Sequence, residues 1–238
     1  MYSKNNDILD VDRNKKQAKL FYDRISPYYD YFAGIFEKKH RNKGLKKLNI
    51  KKGKIVLEIG YGTGQAIKKI AQKVGTEGKV YGIDISSQMY KITKNRLKKA
   101  NLLDRVKLSQ GDALKISYDE NKFDIVFMCF VLELFDTPEI PVMLDKIKAI
   151  LKEKGKIGIV SLSKENGNSL MVKIYEGLHK KFPKYFDCRP IYVNKALKDA
   201  HFNIKTNIKN KMFGLPVEII VGYKWAIIIF AIGEIVYE

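Results

Sequence analysis

Residues 56–65 read Val-Leu-Glu-Ile-Gly-Tyr-Gly-Thr-Gly-Gln, an apolar run that ends in glycines at alternate positions, Gly60, Gly62 and Gly64. One glycine is enough for a tight turn. Three set this closely ask for a backbone that bends sharply, accepts positive φ and passes near something that a Cβ would block. The run in front, Lys54 to Ile59, reads as a buried strand. Behind it Ala66, Ile67, Ile70, Ala71 and Val74 recur at helical spacing. In an open α/β sheet, a strand, glycine loop and helix joined in this way stand where ligands bind, at the carboxyl ends of the strands beside the reversal of strand order. The spacing G-x-G-x-G departs from the G-x-G-x-x-G of dinucleotide sites, so the match to NAD is poor. The bland alternative is a tight strand–helix turn with no ligand.

The rest of the chain continues the alternation. Residues 13–50 are helical and rich in rings, divided by Pro27, with Ser26 or Asp23 placed to cap near the break. "GKVYGIDIS" predicts a second strand ending at Asp84, followed by a helix with Met89, Ile92 and Leu97 on one side. "RVKLSQGDA" predicts a third strand ending near Asp112, and "FDIVFMCF" a fourth. Pro138 opens a helix to Leu151, and "GKIGIVSLS" is a fifth strand. Residues 163–190 form a long, largely helical insertion, and "VNKALKDA" is a further helix. "FNIKTNIKN" and "PVEIIVGYK" close the pattern as two strands turning near Gly214-Leu215-Pro216. This order predicts one α/β domain, a doubly wound, mostly parallel sheet with an antiparallel edge.

Charge and cysteine content narrow the class of function. The 238 residues carry a formal net charge of +19, yet only six of the 45 basic residues are arginine. Arginine is the side chain suited to bidentate reading of phosphates and bases, and lysines spread along the whole chain fit a compositional habit first, attraction to anionic lipid second and nucleic acid last. Cys129 and Cys188 are the only cysteines, so no disulfide framework is expected, and the polar N-terminus lacks the apolar stretch of a secretory signal. A cytoplasmic location, with a peripheral membrane contact as an option, is the expectation. No segment has the roughly 20 apolar residues of a membrane span. His40, His179 and His201 are scattered, and neither a metal site nor a catalytic base is assigned; His179 alone falls in the insertion.

Carboxylates sit in register with the glycine loop. Asp84, ending the second strand, is placed to accept two ribose hydroxyls, and Asp112 to accept from an adenine amine; either could instead cap the helix that follows it. With these residues in place, "VLEIGYGTG", "VYGIDIS", "GDA", "FDIVFMCF" and "LKEKGKIGIV" together resemble the class I S-adenosylmethionine-dependent methyltransferases, across roughly residues 15–224. The front segment "FYDRISPYYD" is similar to the entry of the ubiquinone/menaquinone C-methyltransferase branch. The resemblance implies a Rossmann-like fold of seven strands with the seventh antiparallel, N-terminal helices and a helical insertion as acceptor lid. It implies one domain with a helical cap (1–50), a cofactor-binding core (51–162), an acceptor lid (163–200), a closing hairpin (201–224) and an apolar tail (225–238).

The same resemblance implies S-adenosyl-L-methionine as cofactor. Gly60, Gly62 and Gly64 would approach its methionine portion, with Glu58 near the amino group, Tyr61 in the loop and Tyr22 from the front segment. Asp84 would hold the ribose, Asp112 and Ala113 would flank the adenine, and Cys129 with Phe130 would offer backbone to the amino group. Met89 lies either on the adenine face or in plain core. Tyr61 replaces a small residue and could narrow the pocket, and "VLELF" stands where relatives carry histidine or asparagine, leaving no acid–base group there. Rings and aliphatic side chains in the front segment (Phe21, Tyr22, Tyr28, Tyr29, Tyr31, Phe32, Phe36) and in the insertion (Met171, Ile174, Tyr175, Leu178, Phe182, Tyr185, Phe186) are either ordinary core or the walls for a small lipophilic or aromatic acceptor such as a quinone precursor. The alternatives are a phospholipid amine or small thiol as acceptor, or a protein that binds the cofactor without turnover. The apolar tail suggests an extra packed segment or a membrane-surface contact.

Overall fold

The computed structural model describes residues 8, 9, 11, 13–31, 33–165, 170–181 and 188–225. Phe32, Phe182, Tyr185, Phe186 and the tail beyond Trp225, all singled out in the sequence, lie outside the described residues. In chain order the elements are α1 (Lys15–Ile25), α2 (Ala33–Leu48), β1 (Ile55–Ile59), α3 (Gln65–Val74), β2 (Lys79–Asp84), α4 (Ser87–Lys99), β3 (Val106–Gln110), β4 (Phe123–Cys129), α5 (Glu139–Ile150), β5 (Leu151–Leu162), α6 (Leu170–Lys181), α7 (Val193–Asp199), β6 (Phe202–Met212) and β7 (Leu215–Lys224).

The seven strands form one sheet in the order β3-β2-β1-β4-β5-β7-β6. Strands β1 to β5 pair in parallel, and β7 runs antiparallel to both β5 and β6. Order reverses at β1, which has β2 on one side and β4 on the other. That reversal opens a crevice above the ends of β1 and β4.

The period of two along β1 sends Val56 to one face and Leu57 and Ile59 to the other. On the first face they meet Ile67, Ile70 and Val74 of α3, Leu97 of α4 and Leu45 and Leu48 of α2. On the second they meet Ile140, Leu144 and Ile147 of α5 and Val193 and Leu197 of α7. With core on both faces, no strand of the central sheet needs a polar side, which is why β1 and β4 read as nearly unbroken apolar runs.

Boundaries differ from the sequence reading in three places. β3 stops at Gln110, and Asp112 instead caps a short 3-10 turn, its Oδ1 accepting from the Leu114 N–H at 3.0 Å. Leu151 is already in β5, paired with Phe123, instead of ending the preceding helix. The closing turn is Phe213-Gly214, because Met212 pairs with Leu215 and Pro216 already lies in β7. Phe213 and Gly214 both take positive φ (53° and 79°), the signature of a two-residue type I′ hairpin turn.

Candidate functional site

The glycine loop is built by the strand in front of it and the helices beside it. Gly60 has φ +71°, and a Cβ there would stand 2.3 Å from Val131 Cγ2. Gly64 has φ +82° and heads α3; a Cβ there would meet Thr93 of α4 at 2.7 Å. Thr93 also donates its hydroxyl to the Gly62 carbonyl (2.7 Å), so α4 closes the loop from behind. The Gly62 N–H donates to Asp84 Oδ2 at 2.8 Å and the Ser86 N–H to Oδ1 at 2.9 Å. Asp84 thereby joins the glycine loop to the start of α4 while its remaining lone pairs face the crevice. Burial pushes its carboxyl up to about 6, against the pull of the Ser86 and Gly62 N–H groups.

A cavity of about 380 Å³ opens over this loop at the reversal point, within the roughly 300–1,000 Å³ usual for small-ligand sites. Glu58, Gly60, Tyr61 and Gly62 line its floor, and Asp84, Met89, Asp112 and Ala113 one side. Cys129 borders it from the end of β4 and Tyr22 from α1. Of the residues predicted for the cofactor, Gly64 alone does not line the cavity; it shapes the loop from behind. Of the front aromatics predicted for the acceptor, Tyr22 and Tyr29 line it, whereas Phe21, Tyr28, Tyr31 and Phe36 do not. Met89 is 1% exposed, both cavity wall and core. The Tyr61 ring is buried beneath β2 at Gly82, and its hydroxyl donates to the Ser109 carbonyl at 3.1 Å. It therefore forms wall and does not stand in the opening. Phe130 takes φ +55° and its N–H is engaged by the Val160 carbonyl at 2.7 Å, so that amide is not available to a ligand.

The floor holds Glu58, which the resemblance places near the amino group, and beside it two charged groups that the sequence reading did not find, Glu37 and Arg41. Glu58 is 2% exposed, and its Oε2 has no hydrogen-bond partner among the described residues. Desolvation raises its carboxyl well above the usual range, Arg41 opposing and Asp84 adding to the shift. Glu37 and Arg41 of α2 line the same cavity, with Arg41 Nη1 3.7 Å from Glu37 Oε2 and the Tyr29 hydroxyl donating to Glu37 Oε1 at 2.9 Å. A buried carboxylate with an open acceptor is suited to a cationic ammonium, and a buried guanidinium to a carboxylate. No spacing rule links α2 to the end of β1, so only the fold brings these groups together. Val11, Ala18, Phe130, Val131, Leu134 and Phe135 supply apolar lining.

The repeated Tyr-Asp pairs of the front segment have a mechanical role. Asp23 does not cap the break at Pro27. It accepts from Ser86 Oγ (2.6 Å) and from the Gln88 N–H (3.0 Å), so it closes the N-terminus of α4, helped by Lys19 at 2.5 Å. Desolvation would raise its carboxyl, but Lys19, Ser86 and Gln88 outweigh that and hold it at about 2. Asp30 accepts from Thr63 Oγ1 (2.6 Å) and Gln65 Nε2 (2.9 Å) of the glycine loop and pairs with Arg96 of α4 at 2.6 Å. Lys15, at the start of α1, bridges Asp112 (3.0 Å) and Glu139 (2.8 Å) across the opening. The front helices are thus fastened directly to the glycine loop, α4 and α5. The signal in the sequence was the seven-residue repeat of Tyr22-Asp23 and Tyr29-Asp30; its partners were not legible.

The described side chains of α6 do not line this cavity. Among the described residues no group of three or more His, Cys, Asp or Glu is placed to hold a metal ion. Glu133, in "VLELF", is fully buried with Oε1 accepting from the Leu162 N–H at 3.1 Å, and burial raises its carboxyl to about 7. It stands behind the cavity wall and is not among the lining residues.

A doubly wound sheet with this strand order, a glycine loop at its reversal point and a carboxylate on the next strand define a nucleoside-binding α/β protein. Residues 56–155 match the model of a family described as methyltransferase domain. The demethylmenaquinone methyltransferase of Lactobacillus johnsonii is 30% identical over 175 residues, 72% of this chain and 70% of that one. The solved structure of a SAM-dependent methyltransferase from Aquifex aeolicus superposes with a TM-score of 0.58 at 22% identity, covering 77% of this chain and 88% of that one. The cyclase SpnF superposes at 0.71 and 16% identity, covering 90% and 97%; likeness at that level carries the fold alone. The chain belongs to the class I S-adenosylmethionine-dependent methyltransferases. It is accordingly an enzyme that uses S-adenosylmethionine and methylates a small molecule. Among the described residues no helix is long and apolar enough to cross a membrane.

Proposed function

We propose that the chain transfers a methyl group to a small lipophilic ring, a quinone precursor in its reduced form. The observation that carries this is the 30% identity to a demethylmenaquinone methyltransferase over 72% of the chain. The apolar lining of the cavity, with Val131, Leu134 and Phe135, supports it.

The cofactor fits the residues present. The open Glu58 oxygen would meet the ammonium of its methionine part and Arg41 the carboxylate. Gly60 and Gly62 would let it lie against the backbone, Asp84 would accept the ribose hydroxyls, and Asp112 with Ala113 would flank the adenine. Cys129 and Tyr22 would enclose the methionine end. The bound sulfonium supplies an activated methyl group, so the protein's task is alignment and exclusion of water. Tyr29 from the turn after α1 and Leu134 and Phe135 from beyond β4 offer apolar surface on which a flat ring can lie.

The test is a panel of acceptors with methyl-labelled cofactor: a demethylated quinol with a short isoprenoid tail, phosphatidylethanolamine, and a small alkyl thiol. Label in the quinol ring is expected. Label in the amine or thiol with none in the ring would overturn the reading.

A further inference from the structure

Beside the cavity the surface is apolar where it has no core to cover. Tyr31 (74% exposed) lies in the turn before α2, Ile35 (58%) and Phe36 (45%) in its first turn, and Phe213 (61%) at the tip of the β6–β7 hairpin. The Phe36 and Phe213 rings meet edge to face with centroids 4.3 Å apart. Met171 of α6 reaches the same tip: a Cβ on Gly214 would stand 2.8 Å from its Cγ. Ile174, one turn further along α6, is 46% exposed. Three separate elements therefore place their exposed apolar residues on one rim.

Phe213 gives the second observation. It occupies the first position of a type I′ turn at φ +53°, where asparagine or glycine is favoured and a bulky side chain is strained. A ring held in strained backbone with most of its surface in water does little for the stability of the isolated chain. Strain of this kind points to a function outside the fold.

Charge selects the occupant. Lys38 and Lys39 on α2, Lys173 on α6 and Lys211 before the hairpin tip are exposed around the rim. The acids on these elements are engaged: Glu37 by Arg41 and Tyr29, and Glu176 by Lys164 at 2.9 Å. An apolar centre ringed by lysines, on a chain of net charge +19, complements an anionic lipid surface. Gly34 and Glu37 of the same helix line the cavity, so α2 carries the cavity on one face and the rim on another.

We propose that this rim docks on an anionic bilayer and holds the enzyme at the surface from which a lipophilic acceptor would come. The proposal rests on the lipophilic-acceptor reading for its purpose but not for its geometry. It moves the membrane contact away from the start of the tail. Trp225 follows Lys224, which pairs with Phe202 at the end of the sheet opposite the Met212–Leu215 tip. Ten residues of β7 separate the two ends, about 30 Å at the usual rise.

The test is co-sedimentation of the full chain with vesicles of equimolar phosphatidylglycerol and phosphatidylcholine, compared with phosphatidylcholine alone. The variant is Phe213→Asn with Ile35→Gln; asparagine suits the turn, so the fold is expected to hold. Binding to the anionic vesicles is expected, weakened about tenfold or more in the variant by loss of two apolar anchors. Cofactor affinity and transfer to a water-soluble quinol should be unchanged, which separates failure here from failure of the proposed function. Undiminished vesicle binding by the variant would overturn the proposal. So would a dimer in vesicle-free solution that the variant dissolves, because a second copy would then be the occupant.

Discussion

Gly60 is the residue at which the site tolerates least. Any side chain there takes φ +71° and meets Val131 Cγ2 at 2.3 Å. Gly60→Ala is expected to cost roughly 2–4 kcal/mol of stability, from backbone strain plus overpacking, read from the midpoint of urea unfolding. Glu133 makes a prediction in pH. An unfolded glutamate titrates near 4.5, whereas burial raises Glu133 to about 7. The native chain therefore holds an extra proton between those values. The stability this contributes is complete below the unfolded value and is lost as pH rises through about 7. Glu133→Gln, which keeps an acceptor for the Leu162 N–H, should raise the melting temperature above about pH 8 and leave it nearly unchanged near pH 4.5. A variant that melts lower at the alkaline end would show that the charge is compensated. The glycines and Asp84 were legible because a strand-end loop limits which residue types can stand there. Glu58 was legible as a position but not in its role with Arg41, since two groups 17 positions apart in different elements meet only through the packing of α2 on the sheet.

At the scale of elements, α1 is held by charge more than by burial, whereas α2 is anchored in the core by Leu45 and Leu48. α1 has no fully buried residue, while Asp23 and Asp30 each make several hydrogen bonds to α4 and the glycine loop. Replacing both with alanine should leave the sheet intact while loosening α1 from its seat. Hydrogen exchange should then accelerate in α1 with β1 and β4 unchanged, and the cofactor should dissociate faster. Equal exchange in α1 would mean that side-chain packing, not these carboxylates, seats the helix. The sequence placed both aspartates in the front segment "FYDRISPYYD" and suggested for Asp23 a cap near Pro27 in that same segment. The capping rule looks only a few residues along the chain, and here the capped helix starts more than sixty residues later. The sheet was far easier to read. Its strands are bounded by glycine and charged turns, and burial on both faces leaves apolar runs that hardly admit another reading. The hairpin turn was misplaced by two residues, because Pro216 looks like a turn residue and Phe213 does not.

For the whole molecule, the central claim is that the cavity at the strand reversal holds the cofactor, with Asp84 and Glu58 as its acidic anchors. Both carboxyls are raised by burial, Asp84 to about 6. A cofactor that donates ribose hydroxyls to one and an ammonium to the other favours their ionised forms. Binding should therefore release protons near pH 6, and affinity should fall as pH drops below that value. The deciding measurement is calorimetric titration of S-adenosylmethionine at about pH 6 in buffers of different ionisation enthalpy, with wild type and Asp84→Asn. The account predicts proton release by the wild type, and for the variant an affinity weaker by roughly 2–3 kcal/mol with less proton release. Equal affinity and equal proton release in the two proteins would contradict it.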